Sequence, residues 1–567
     1  MTGNHPEGHG KMSLSILTNV LSMGAQRALK SHDRTQEQLI NQLSSGSRIN
    51  GARDDPAGQA ISARITSGQR GISQALRSIN DGTSMLQVAE GAMANVVDSL
   101  QRLRELAVAS GNGTYGDKDR ATLQTEALQI LAQINQVGEQ TKFNGETLFS
   151  QEGGSIGGDE KKRRVLDGLK TGWLSSAEQM VKQYYGIEGD GVKITVNLDT
   201  TDGGSGVLAS VSGIPVGGKY TNLHLNLDMA DFGGGDTRDG GGAPIYNDRV
   251  VAHEMAHAVM SRTMNFTDLP KWFVEGTAEL MQGADERVRS SIANGNSVAT
   301  IVGGVAGGGF VYEGGYLASR YMHDKLKGLG VEGGIKGVMQ YLNQNQSANL
   351  DQALNAVSKG EIASTSAFLA DFGGSNGVDF VNTKVNLTNA DTGAIGGLDA
   401  DNGAARDAKA VVADAGDNNA KDGLAKFDVA YPELGGGTGV RRVQIQAGDK
   451  AGDLIELQFS AMNARALGLA NLDMKNGAIS LLHVDEALDF VNKQRVVVGA
   501  SSNRLDMAAN SLQTDSINMA AAKERVEGVD YASAAAGLTR AQILQQAASA
   551  MLAQANQQPR NVLSLLR

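Results

Sequence analysis

Two histidines and the glutamate beside them, in the run HEMAH at residues 253–257, form the pattern with the clearest chemistry in this sequence. His253 and His257 are four residues apart, so on a helix they lie on one face, about one turn from each other. Two neutral imidazoles at this spacing can bind a zinc ion, and Glu254 is placed to act as a general base toward a bound water. The pattern therefore predicts a zinc site for metal-assisted hydrolysis.

A third zinc ligand is expected nearby, in the run WFVEGTAEL at residues 272–280. Glu275 comes eighteen residues after His257, which leaves room for a turn and a second helix that packs back on the first. Glu279 lies one helical turn further on the same face. We interpret Glu275 as the third ligand and Glu279 as the acceptor for the proton of a ligand histidine. The alternative is a surface helix with a solvated acidic stripe.

These motifs, followed by VYEGGYLASRYM at residues 311–322, occur in the order found in gluzincin metallopeptidases, which residues 160–390 resemble. The resemblance implies an α+β zincin-like domain that holds Zn²⁺ through the two histidines and Glu275. It also implies that Tyr312, or failing that Tyr316, donates a hydrogen bond to the oxyanion of the reaction. Ordinary packing on a helix is the alternative for either tyrosine.

Composition limits the classes of protein that the chain can represent. Its 567 residues are enough for three or four domains, and the absence of cysteine excludes disulfides and Cys-based sites. A net charge of −11 argues against nonspecific nucleic-acid binding. No run of eighteen apolar residues predicts a membrane span, and the N-terminus lacks the features of a cleaved secretory signal.

Both ends of the chain predict long helices suited to assembly. Residues 1–11 are polar and predict a disordered extension, and helical periodicity begins just after them. Apolar residues then recur at steps of three and four, as in a coiled coil. The repeating residues are Leu14, Leu17, Leu21, Ala25 and Ala28 near the start, and Ala541, Leu544, Ala548, Met551 and Ala555 near the end. Such small-residue seams favour close packing against other helices.

Residues 12–150 and 440–567 resemble bacterial flagellin. The resemblance is carried by MSLSILTN, LSSGSRINGARDDPAGQAI, FNGETLF, VNKQRVVVGASSNRLD and the final NVLSLLR. It implies an α-helical coiled-coil rod with paired terminal segments and a small β part, which includes a hairpin at 440–462. It also implies polymerisation with other flagellin subunits into an extracellular filament. Export would run through the flagellar type III secretion channel, with chaperone and cap proteins as partners.

One further stretch of the rod, LQRLRELAVAS, resembles the flagellin segment that the innate flagellin receptor of animals reads. The resemblance implies that Arg102, Leu106 and Glu126 face this receptor. Packing between subunits is the alternative use of the same surface.

The middle of the chain predicts an inserted body at residues 151–400, followed by a loosely folded spacer at 401–439. A Gly-rich hinge and a solvated basic run open the insert at 152–164. The alternating strand at 223–229 is expected either to pair with an extended substrate backbone or to pair only within its sheet. The Gly-dense run 231–244, with Asp231, Asp236 and Asp239, predicts a mobile loop, and calcium binding is the alternative.

This combination resembles the flagellinolysins, flagellins that carry a metallopeptidase in their variable region. It implies a multidomain subunit that polymerises into the flagellar filament and displays a zinc-dependent endopeptidase acting on extracellular protein or peptide substrates. One alternative is a purely structural flagellin with an inactive insert. Another is a protease released as monomers, which the complete rod helices at both ends disfavour.

Overall fold

A computed structural model describes residues 18–199, 204, 206–232, 238–243, 245–417, 424–434 and 438–565. The expected disordered extension at 1–11 lies outside the described residues. The chain divides into two compact units. Unit 1 comprises residues 1–86, 443–457 and 499–567, and unit 2 comprises residues 87–442 and 458–498.

Unit 1 pairs the first and last helices of the chain. α1 (Val20–Ser45) packs along α17 (Tyr531–Leu565), and the Ser22 hydroxyl donates to Asn556 Oδ1 at 2.7 Å. Within the predicted seam of α17, the three alanines Ala541, Ala548 and Ala555 are buried at a spacing of seven. The seam residues between them are exposed, as is Leu21 of α1 (Leu21, Leu544, Met551). The terminal pairing is thus confirmed, and apolar side chains remain available for contact with other subunits.

Unit 2 contains the other parts of the rod. α2 (Pro56–Ser110) and α16 (Gly477–Glu527) enter this unit, and α3 (Asp117–Gln140) lies wholly within it. The Arg495 guanidinium of α16 donates to Glu90 of α2 at 2.6 Å. These helices agree with the prediction of long helices in both terminal parts of the chain.

Short strands complete the rod segments. β1 (Lys142–Phe143) and β2 (Glu146–Thr147) pair around an Asn144–Gly145 turn, in which both residues have positive φ. An Asn–Gly pair favours this turn because both residues tolerate left-handed backbone. The predicted hairpin at 440–462 is also present. Its two strands, β9 (Val440–Gln446) and β10 (Leu454–Ser460), lie in one sheet.

The inserted body opens with helices and then forms a mixed sheet. α4 (Glu160–Gly168) continues through a π-helical turn into α5 (Leu174–Tyr185). The strands are β3 (Lys193–Asp199), β4 (Ala209–Val216), β5 (Lys219–Asp228) and, far along the chain, β8 (Asp428–Ala430). Their order in the sheet is β4-β5-β3-β8; β4 is antiparallel to β5, and β3 is parallel to both β5 and β8. Alternate residues of β3 and β5 are buried in the core, as their period-two pattern predicts.

Helices follow the sheet and supply most of the site. The short strands β6 (Gly241–Gly242) and β7 (Ile245–Tyr246) lead into α6 (Asn247–Thr263), α7 (Lys271–Gln282), α8 (Asp285–Ala293), α9 (Val298–Gly304) and α10 (Glu313–Gly328). They are followed by α11 (Ile335–Gln344), α12 (Leu350–Val357), α13 (Thr365–Phe372), α14 (Ser375–Lys384) and α15 (Leu398–Asp401). Among the described residues, no helix is long and apolar enough to cross a membrane.

The two ends of the insert lie side by side, and the opening segment is bonded to residues of α16. Gly153 forms an antiparallel bridge with Thr438. Within the basic run, Arg163 forms an ion pair with Glu486 of α16 at 3.5 Å. One helical turn further along α4, Asp167 Oδ2 lies 2.9 Å from His483 Nε2, and both side chains are largely buried. The hinge interpretation is therefore wrong, because the opening segment is bonded to residues of α16 within unit 2. The solvated-face interpretation is wrong for Arg163 but agrees with the exposed Lys161 and Arg164.

The interpretation of residues 401–439 as a loosely folded spacer is also wrong for the described residues. Asp401 accepts a hydrogen bond from His323 at 2.8 Å, and Val411 and Val412 are buried in the core of the insert. β8 then adds the last strand to the sheet. The sequence does not reveal this packing, because the polar residues of the segment form hydrogen bonds with partners that are distant in sequence.

The prediction that Leu106 faces a receptor is wrong. Its side chain is 4% exposed, so it faces the interior of unit 2 and not a receptor. Arg102 and Glu126 are on the surface and bind each other at 2.7 Å.

Candidate metal centre

One buried helix positions both histidines and the glutamate between them. Nearly every residue of α6 is buried, including His253, Glu254 and His257. The helix packs against α5 and α7 on one side and against β4 and β5 on the other. Because the helix is surrounded by the core, its polar side chains have little freedom to turn toward solvent. The predicted one-turn spacing of the histidines is therefore fixed by the packing of the domain.

The second helix, α7, brings Glu275 to these histidines. Gly276 allows close approach, but its partner is α10 and not α6: a methyl group at Gly276 would overlap the carbonyl oxygen of Gly315. Since α7 crosses α10 at two glycines, the helix backbones can pack closely there. The opposite side of α7 then faces α6, and Glu275 reaches the imidazoles.

Three donor atoms converge on one point. His253 Nε2 and His257 Nε2 are 3.0 Å apart, and Glu275 Oε2 lies 3.2 Å from the first and 3.3 Å from the second. Tetrahedral Zn²⁺ at about 2.0–2.2 Å from nitrogen and oxygen ligands separates those ligands by about 3.3–3.5 Å. The observed triangle matches this spacing to within a few tenths of an ångström. Two imidazole nitrogens and one carboxylate oxygen are also the chemical types that zinc binds in hydrolases.

The charges in the triangle favour the anionic, metal-binding form of Glu275. Burial opposes ionisation of Glu275, but the hydrogen bonds from His253 and His257 outweigh it and lower the pKa of the carboxyl group. Burial opposes protonation of His253, but the surrounding carboxylates outweigh this effect, and the net result is a raised pKa of the imidazole. Glu275 is therefore an anion placed against two nitrogens, and a cation between the three atoms would satisfy all of them.

Glu279 lies behind the triangle, on the far side of His253. Its Oε1 is 3.4 Å from His253 Nδ1, and its side chain has no exposed surface. The other oxygen accepts a hydrogen bond from Gln282 at 2.9 Å. A carboxylate at this distance is placed to orient the ring, with Nε2 toward the other donor atoms. This placement is the one predicted from the four-residue step between Glu275 and Glu279.

Glu254 faces the sheet edge. Its Oε2 accepts a hydrogen bond of 2.8 Å from the backbone N–H of Val211 in β4. That N–H therefore points away from β5, and Glu254 borders the edge of β4 with which no strand of the described residues pairs. β5, the strand expected at 223–229 to pair with substrate, instead lies between β4 and β3. The expectation of substrate pairing on β5 is wrong, and its alternative, pairing within the sheet, is confirmed.

The two candidate tyrosines occupy different environments. Tyr312 directly precedes α10, is 42% exposed, and has its ring centroid 6.3 Å from that of His253. Burial and the nearby Glu275 carboxylate raise its pKa, so the hydroxyl remains a donor at neutral pH. Tyr316 is fully buried and donates to Asp285 Oδ1 at 2.7 Å. Its hydroxyl also receives a bond from Arg320 at 2.9 Å. The structure thus brings Tyr312, and not Tyr316, to the metal centre.

Other predicted ligands do not join the site. Among the described residues, His253, Glu254 and His257 also form a cluster able to hold a metal ion, with donor atoms within 4.8 Å of one another, so Glu254 borders the triangle that Glu275 completes. Asp231 and Asp239 of the Gly-dense run form no such cluster, and Asp236 lies outside the described residues.

Two contributors to the site could not be found from the sequence. Val211 acts through its backbone, and the strand that carries it has no motif. Arg287 contacts Glu279 at 3.1 Å and lies over the Tyr312 ring at 5.3 Å, although its surroundings in sequence, DERVRSS, suggest only a polar helix. A long-range contact of this kind has no signal in spacing or composition.

Long helices at both ends of the chain, the first paired with the last, and a mixed sheet with helices in the middle define the chain as a mostly helical protein with small sheets. Comparison with known proteins gives its family. Residues 16–153 match the bacterial flagellin N-terminal helical region, and residues 481–566 match the corresponding C-terminal helical region. The flagellin of Salmonella typhimurium is 30% identical over 568 residues, covering 98% of this chain and all of that protein. The flagellin of Salmonella berta is 31% identical over 566 residues, with the same coverage.

The chain belongs to the flagellin family. It is a subunit of the bacterial flagellar filament, an extracellular structure in which flagellin polymerises with other flagellin subunits. The two matched regions flank residues 154–480, which contain the candidate metal centre.

Proposed function

We propose that this flagellin displays a zinc-dependent endopeptidase on the outer surface of the filament. The observation that carries the proposal is the triangle of His253 Nε2, His257 Nε2 and Glu275 Oε2 at 3.0–3.3 Å, with Glu254 beside it. These three residues would hold Zn²⁺. When bound, the ion would polarise the scissile carbonyl and promote ionisation of the attacking water.

The side chains around the triangle have separate roles in peptide hydrolysis. Glu254 accepts the proton of the attacking water and then delivers it to the leaving amine nitrogen. Tyr312 donates a hydrogen bond to the oxyanion that forms on the carbonyl oxygen. The unpaired edge of β4 beside Glu254 offers N–H and C=O groups to an extended peptide backbone. The substrate class that fits this edge is an unfolded or extended segment of a protein.

A filament assay tests the proposal. Zinc per subunit and cleavage of casein and of a peptide library are measured on filaments of the parent protein and of Glu254→Gln. The amide can still accept the Val211 N–H bond, so the variant should retain zinc while cleavage falls by about 10²–10⁴-fold. Glu332→Gln, the same chemical change at an exposed turn of the insert, is the matched control. Filaments without zinc or without cleavage would favour a structural flagellin with an inactive insert.

Further partners follow from membership of the family. We infer export through the flagellar type III channel, helped by chaperone and cap proteins. We also infer recognition of the monomer by the innate flagellin receptor through the exposed pair Arg102 and Glu126. A reporter-cell assay comparing the parent monomer with Arg102→Ala tests the last point. No response to the parent would exclude it.

A further inference from the structure

Arg287 on α8 connects the two sides of the candidate metal centre. Its Nε lies 3.1 Å from Glu279 Oε1, the oxygen that faces His253 Nδ1. Its Cζ lies over the ring of Tyr312, 5.3 Å from the centroid. One guanidinium therefore contacts the carboxylate behind a ligand histidine and the tyrosine in front of it. Neither the motifs nor the proposed ligand set includes this residue.

The backbone that carries Arg287 is held firmly by its two preceding residues. Asp285 is fully buried and accepts the Tyr316 hydroxyl at 2.7 Å. Glu286 forms an ion pair of 3.1 Å with the buried Arg249. Because Asp285 and Glu286 hold the first turn of α8, the backbone from which the Arg287 side chain extends has a fixed position. Its own side chain is 34% exposed, so it borders the open side of the centre.

The two contacts have different physical requirements. Glu279 is fully buried, and a buried carboxylate needs a positive partner to remain a charged acceptor. Any cation at this position would meet that need. The contact with Tyr312 is a flat guanidinium over a ring face, which a compact ammonium group reproduces poorly. Substitution by lysine should therefore preserve the first contact better than the second.

We propose that Arg287 is a positioning residue for the peptidase. It holds the Tyr312 ring beside His253 and supports Glu279 as the acceptor for the Nδ1 proton. This inference rests on the proposed function and adds a residue that acts only through its neighbours. It predicts that Arg287 influences turnover through Tyr312 and zinc affinity through Glu279, as two separable effects.

The test compares Arg287→Gln and Arg287→Lys with Arg289→Gln, an exposed position on the same helix. Arg287→Gln should lower kcat by about 10–100-fold with little change in KM, and should weaken zinc binding in a chelator competition. Arg287→Lys should restore most of the zinc affinity but little of the kcat. Arg289→Gln should match the parent in both. Circular dichroism and the thermal midpoint establish that each variant is folded.

A double-mutant cycle with Tyr312→Phe decides whether the effect on turnover passes through the tyrosine. If it does, Arg287→Gln should cost much less kcat in the Tyr312→Phe background than in the parent. Fully additive losses, or an Arg287→Gln variant that behaves like Arg289→Gln, would overturn the inference while leaving the peptidase intact. A parent protein that neither binds zinc nor cleaves peptides would instead overturn the proposed function, and the inference with it.

Discussion

Glu275 and Glu279 contact opposite sides of the same imidazole, so their removal should separate a metal ligand from the residue that orients it. His253 Nε2 is 3.2 Å from Glu275, and His253 Nδ1 is 3.4 Å from Glu279. An apparent zinc affinity of about 10–16 kcal/mol, divided over four ligands (three side chains and a water), gives about 2.5–4 kcal/mol for one of them, a loss of about 70–900-fold. Removal of a partner behind a ligand costs about 10–100-fold, or about 1.4–2.7 kcal/mol.

Glu275→Ala should therefore be purified without zinc and be inactive. Glu279→Ala should bind zinc at high supply and keep partial activity. Zinc per subunit, measured by mass spectrometry after dialysis against buffers of defined free zinc, gives both affinities. Since Glu279 is fully buried, Glu279→Gln serves as a control that preserves its volume. A metal-free Glu279→Ala beside a fully loaded Glu275→Ala would reverse the ligand assignment and refute the reasoning from the triangle.

Three other predictions address the tyrosines, the pH dependence and the insertion. Tyr312→Phe should lower kcat by up to about 10²–10³-fold and retain zinc. Tyr316→Phe should mainly lower the thermal midpoint, because Asp285 loses its hydrogen-bond donor. Peptide kinetics and thermal melting distinguish the two variants. Burial raises the pKa of Asp248 to about 8, from 3.8, so the folded chain binds an extra proton between those values. The free energy of unfolding should fall as pH rises through this window, by up to about 1.4 kcal/mol per pH unit; denaturant titrations should show a flatter dependence for Asp248→Asn. Deleting residues 154–437 should leave a subunit that still forms filaments in electron micrographs, since the cut ends are bridged neighbours.

The parts of the site that the sequence predicts are those set by local helix geometry. His253 and His257 face the same way because four residues make about one turn, and Glu279 follows Glu275 for the same reason. The convergence of α6 and α7 is a tertiary feature, but the family order of the motifs anticipates it. The same holds for the terminal segments, where sustained helical periodicity predicts long helices.

The choice between the two tyrosines depended on partners far away in the chain. Tyr312 and Tyr316 are one turn apart, and helical periodicity alone would place them on one face. The structure separates them because α10 begins at Glu313 and because Asp285 and Gly393 capture the Tyr316 hydroxyl. Neither partner is close in sequence, so spacing could not decide between the tyrosines.

The polar segments were the hardest to interpret, since polar composition does not distinguish solvated backbone from backbone bonded to distant groups. Asp391 illustrates the point: its carboxylate accepts from the backbone N–H groups of Gly393, Leu398 and Arg406. Asp391 is 3% exposed, so a buried carboxylate helps to order this segment together with the few apolar residues that it buries. A search for hydrophobic periodicity cannot detect this kind of order.

The arrangement of the insert is compatible with a filament subunit that also carries the proposed peptidase. The seam alanines of α17 lie in unit 1, while the metal centre lies in unit 2. A folded domain can be inserted into a helical rod when its two ends lie close together, because the rod segments on either side then keep their own contacts. The bridge between Gly153 and Thr438 meets that condition. The contacts of Asp167 with His483 and of Arg163 with Glu486 add a second requirement, since they hold the start of the insert against α16. The seam of α17 and the candidate metal centre therefore use different side chains, and a substitution at that centre should leave the contacts between α1 and α17 unchanged.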